Sequence, residues 1–145
     1  MNVVDPDMGA GCCEGPMACV FAKALLARHA RCGLAQRQQH AERTLLNCNS
    51  PVAHTNCRLL AELLHERARF ALRLPPAGRP LMHAQSMRLQ CGGLIALQQH
   101  LQAWDADVHG MVGLAQERHV SLTDLPWEQL VPMLASWQPP RRYVR

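Results

Sequence analysis

Cys12, Cys13, Cys19, Cys32, Cys48, Cys57 and Cys91 are the residues of this sequence best suited to chemistry. None lies beyond Cys91, although the remaining segment is just as apolar, so the thiols mark one region. A site built purely of thiolates is soft and selects iron–sulfur clusters, zinc or Cu(I). Structural zinc usually comes with close C-x2–4-C knuckles, and the sequence holds no C-x-x-C pair. The wide pattern Cys32-x15-Cys48-x8-Cys57-x33-Cys91 suits a larger cluster held between elements. The expected ligand set is therefore Cys32, Cys48, Cys57 and Cys91. It would hold an iron–sulfur cluster, with 4Fe–4S as the form that four thiolates suit and zinc as the alternative metal. Cys19 is the substitute for Cys32.

Position supports each choice. Cys32 follows Arg31 and precedes Gly33, at the expected end of a helix. Cys48 lies two residues before a helix N-cap, where orphan amides and the helix dipole favour a thiolate. Cys57 falls on an apolar helical stripe, and Cys91 abuts Gly92 and Gly93. The competing reading is that free cysteines are small buried hydrophobes in a helical core, and Cys57 fits it well. Cys12 and Cys13 sit in a glycine-rich start, where a vicinal pair can bind a soft metal or oxidise.

Other chemistry is sparse. The eight histidines include no H-E-x-x-H or H-x3-H pair; His54 and His65 flank a ligand candidate, Cys57, at three and eight positions. His54 is a candidate donor to the sulfurs. There is no G-x-S-x-G, no Walker loop and no G-x-G-x-x-G, so a conventional enzyme is not expected. Charge is uneven. Residues 16–103 carry eleven Lys and Arg against Glu42, Glu62 and Glu66, net +8, whereas residues 104–145 are net −1. The cysteine-bearing segment is thus also the basic one. That charge would suit nucleic acid, but the arginines are spread along the chain and not interleaved with aromatics. An anionic thiolate-held cluster is the better match for basic surroundings.

The elements that must position these residues read as helices. Leu and Ala dominate and few runs are rich in Val, Ile or Thr, so the expected fold is all-α, a single-domain bundle of about four to six helices. Residues 1–15 are expected as a flexible tail, 16–103 as the basic cysteine-bearing core, 104–137 as helices packing on it, and 138–145 as a tail. A first helix is expected over Met17–Arg31, stopped by Gly33. Residues 34–47 suit either a short helix or a loop leading to an extended segment. Ser50 as N-cap and Pro51 at N1 open a helix to about Leu72, and PPAGRP at 75–80 ends the run. A helix from near His83 is interrupted by Gly92 and Gly93, so it either breaks there or accepts something close against its backbone. Asp105–His119 and a segment opened by SLTD complete the set, with Trp127, Leu130, Leu134 and Trp137 on one face and Pro132 as a kink. That face either packs onto the bundle or stays open to a partner.

No run of 18 apolar residues is present, and the first residues lack the positive start of a signal peptide. A reducing, cytoplasmic setting is expected, where disulfides rarely persist; seven is also an odd number for a disulfide framework. The expected function is a small metal-binding protein holding an iron–sulfur cluster for electron transfer, redox sensing or metalloenzyme assembly, with a redox protein or metalloenzyme as partner. A helical adaptor with inert cysteines and a basic nucleic-acid-binding regulator are the alternatives.

Overall fold

The computed structural model describes residues 15–140. Five α-helices dominate: α1 (Ala22–Leu26), α2 (Pro51–Leu72), α3 (His83–Leu101), α4 (Val108–His119) and α5 (Trp127–Ser136). They are joined by a short 3-10 turn, Leu122–Asp124, and by an antiparallel hairpin of β1 (Ala35–His40) and β2 (Arg43–Cys48). The all-α expectation is thus corrected: the fold is helix-dominated but carries a small sheet. The expected tail and the pair Cys12–Cys13 lie outside the described residues, as do the last five positions.

The hairpin replaces the ambiguous segment, and local chemistry explains it. Ala41 takes φ 57 in a two-residue turn that sets His40 opposite Arg43 and Ala35 opposite Cys48. Side-chain amides tie the strands: Asn47 Nδ2 donates to Gln38 Oε1 at 2.7 Å, and Thr44 Oγ1 donates to Gln39 Oε1 at 2.9 Å. An isolated two-stranded hairpin is marginal in water. Here the segment before α1 lies along β2, with Ala18 bridged to Asn47. The Cys19 amide donates to the Leu46 carbonyl at 2.9 Å, and the Cys48 amide to the Met17 carbonyl at 2.8 Å. That pairing is also why the first helix is a single turn rather than Met17–Arg31. Ala18 and Cys19 run along β2 instead of in a helix, and after α1 the chain reverses at Arg28, φ 63.

α2 begins as its sequence dictates: Ser50 Oγ accepts from the Ala53 amide at 3.3 Å, with Pro51 at the first helical position. α3 is central, touching α1, α2, α4 and α5. It runs unbroken through Gly92 and Gly93. A Cβ on Gly92 would lie 2.8 Å from the Leu134 carbonyl oxygen of α5, and one on Gly93 would lie 2.8 Å from Leu64 Cδ1 of α2. The glycines therefore admit two helices to close contact rather than ending α3. α5 lays Trp127, Leu130 and Leu134 into the core, with the Trp127 indole donating to the Thr123 carbonyl at 3.1 Å. Its aromatic face is packed onto the bundle; Trp137 is half-buried. No helix among the described residues is long and apolar enough to cross a membrane.

Candidate thiol site

Four cysteines from four separate segments line one apolar cavity: Cys19, Cys32, Cys48 and Cys57. Antiparallel pairing brings the segments of Cys19 and Cys48 together. Residues directly opposite in such a pair, and residues two apart along a strand, share a face. Cys19 stands opposite Leu46, so Cys19, Leu46 and Cys48 share one face, joined by Ala35 opposite Cys48. Cys48 is held further by donating from Sγ to the Ser50 carbonyl at 3.3 Å.

The third thiol is placed by the α4 approach. The Arg31 amide donates to the Ala106 carbonyl at 3.0 Å, and the Val108 amide returns the bond to the Arg31 carbonyl at 2.8 Å. Asp107 caps α4 by accepting from the Gly110 amide at 3.2 Å and also accepts from the Gly33 amide at 3.1 Å. Cys32 is fixed between these two anchors. The fourth comes from α2. His54 and Cys57 lie three residues apart, on neighbouring positions of one helix face. His54 is buried, and its Nε2 donates to the Ala18 carbonyl at 2.8 Å. That bond pins α2 to the residue before Cys19. His54 thus lines the thiol cavity with its Nε2 committed to the backbone.

Electrostatics identifies the same neighbourhood. Burial pushes the Cys19 thiol up to about 11; a backbone hydrogen bond at Phe21 opposes the rise, and Cys32 and Cys48 add to it. Burial likewise pushes the Cys57 thiol up to about 12, with Cys32, Cys19 and Cys48 adding to it. An apolar pocket resists several thiolates at once unless a cation accompanies them.

Cys91 stands elsewhere. It is fully buried in α3, it does not line the cavity, and its thiol is raised to about 11 by burial alone. The structure therefore gathers Cys32, Cys48 and Cys57 from the expected set and adds Cys19 beside them, not in place of Cys32. The glycines next to Cys91 face α5 and α2, which removes the reason for tying them to the thiols. The apolar, helix-like surroundings of Cys19 in the sequence do not reveal that residues 17–19 pair with β2.

As placed, the cavity is small, about 20 Å³, room for one water-sized body. No group of three or more His, Cys, Asp or Glu side chains among the described residues is arranged to hold a metal ion without movement. The thiols would have to shift to take any metal. No disulfide joins Cys19, Cys32, Cys48, Cys57 or Cys91; all five are free. The molecule is thus a helix-dominated protein with a four-thiol pocket between its hairpin and its second helix. No protein-family model, curated protein or solved structure matches the chain.

Proposed function

We propose that this chain binds an iron–sulfur cluster through Cys19, Cys32, Cys48 and Cys57, as a small electron-transfer, redox-sensing or metalloenzyme-assembly protein. The observation that carries the reading is the convergence of four free thiols, from four backbone segments, on one apolar cavity. The donor chemistry fits: four thiols line the cavity, beside a histidine whose Nε2 is bonded to a carbonyl. Such a set selects iron–sulfur, zinc or Cu(I). The absence of a C-x2–4-C knuckle favours the polynuclear choice over structural zinc.

When bound, such a cluster supplies one-electron chemistry over a wide range of potentials. The chain's own part is to hold and shield it. Phe21 and Val108 wall the cavity with hydrocarbon. Arg28, Arg31 and Arg37 stand on the Cys32 side and Lys23 and Arg58 on the Cys19 side, so cationic residues flank an anionic centre.

Anaerobic purification followed by visible spectroscopy, with iron and acid-labile sulfide assays, tests this. The expected protein is brown and contains iron and sulfide in comparable amounts. Each single Cys→Ser change at 19, 32, 48 or 57 should lower iron content severalfold. A colourless protein that takes up only zinc, or four serine variants with undiminished iron, would overturn the reading.

A further inference from the structure

An open groove of about 430 Å³ runs beside the thiol site and shares Cys32 with it. Arg28, His29, Arg31 and Arg37 line it, and no Asp or Glu does. Arg31 is partly neutralised by its ion pair with Asp105, the one salt bridge among the described residues. Arg28 and Arg37 have no such partner there, and both are exposed. Arg28 occupies φ 63, directly after the turn that ends α1. Glycine is the cheapest residue for that left-handed position, yet the chain spends it on a guanidinium.

The surroundings extend past the groove. Trp104 is 94% exposed and lies two residues before Ala106, which lines the groove. β1 starts in the groove at Ala35 and continues to His40 with Gln36–His40 exposed, and its outer edge is unpaired among the described residues. Guanidinium forks match carboxylates. Exposed Trp beside Arg is the composition of energetic anchors at protein interfaces. A small anion would use the arginines alone and leave Trp104 and the strand edge without a role.

We propose that the groove formed by Arg28, Arg31 and Arg37, with Trp104 at its margin, is the docking face for an acidic partner protein of the thiol centre. The partner's purpose rests on the metal-site reading above, but its binding does not, so the two fail separately. The probe is poly-L-glutamate, titrated into the full chain at low salt and followed by tryptophan fluorescence and by calorimetry. Arg28→Gln/Arg37→Gln should weaken binding about tenfold, as expected for desolvated charge partners. Arg73→Gln/Arg79→Gln removes the same charge elsewhere and should change it by less than about twofold. Trp104→Ala should weaken binding severalfold and abolish most of the fluorescence change. Iron content of Trp104→Ala should equal that of the unaltered chain, which reports on the cluster independently. Equal losses from both arginine pairs would overturn the proposal as mere net-charge attraction. Competition by inorganic phosphate at the same concentration of charge, with no effect of Trp104→Ala, would overturn it in favour of a small-anion site.

Discussion

Cys91 and Cys57 show how little a thiol's own neighbours in sequence reveal about its role. Both sit on apolar faces of long helices, yet one lines the four-thiol cavity and the other is core. Cys91→Ala should therefore keep full iron content while costing about 1 kcal/mol in urea unfolding, as a small core truncation does. Loss of iron in that variant would return Cys91 to the ligand set. The raised thiols also set a pH dependence for the metal-free protein. Cys19 and Cys91 are lifted from 9.0 to about 11 and Cys57 to about 12, so between these values the folded chain binds more protons than the unfolded chain. Their contribution to stability is fully present below about pH 9 and is lost as pH rises through 11–12. Urea midpoints should be level between pH 7 and 8 and fall steadily above 9; a midpoint rising with alkali would contradict the burial of these groups.

At the level of elements, the two glycines of α3 do different work. Gly92 faces the backbone of α5 and Gly93 faces the flexible end of Leu64. Alanine adds about 1 kcal/mol of helix propensity at either site, so the sign depends on which neighbour can yield. Gly92→Ala should destabilise by about 1–3 kcal/mol, because a carbonyl and its helix must move. Gly93→Ala should come out closer to neutral, because Leu64 can change rotamer. Chemical denaturation of the pair distinguishes them, and equal costs would mean that α5 is not held as described. Much of this level was legible beforehand. Ser50-Pro51, the Pro-Gly-Pro break and the start near His83 all read correctly, because caps and breakers act within a turn of chain. Of the hairpin only the extended second strand was among the alternatives; the first strand was not, since it is Gln-rich, lacks an apolar alternation and belongs to a hairpin supported by residues 17–19, far away in sequence.

Across the whole molecule, α5 covers α3 and α2 and fills the core with Trp127, Leu130 and Leu134. Burial of three such side chains is worth several kcal/mol, a large share of a domain's marginal stability. Truncation after Val120 should thus abolish cooperative thermal unfolding near physiological temperature, whereas an unchanged melting curve would mean that this helix is dispensable for folding. Its Trp137 also meets His29 edge-on, with ring centroids 5.6 Å apart, so α5 reaches the turn that carries Arg28.

The sequence by itself determined the long helices, their caps, the basic character of the cysteine-bearing region and the restriction of thiols to it. Those features depend on residue type and short-range spacing. Only the tertiary structure decided which thiols meet. The pairing of Ala18 with Asn47 carries Cys19 to Cys48, the backbone pairing of Arg31 with Ala106 and Val108 sets Cys32, and the His54 bond to Ala18 sets Cys57 beside them. Each is a contact between distant segments, the first two set in register by backbone hydrogen bonds and the third by a side chain bonded to a backbone carbonyl. Cys91 is kept apart for the corresponding reason: the glycines beside it let α5 and α2 close against α3.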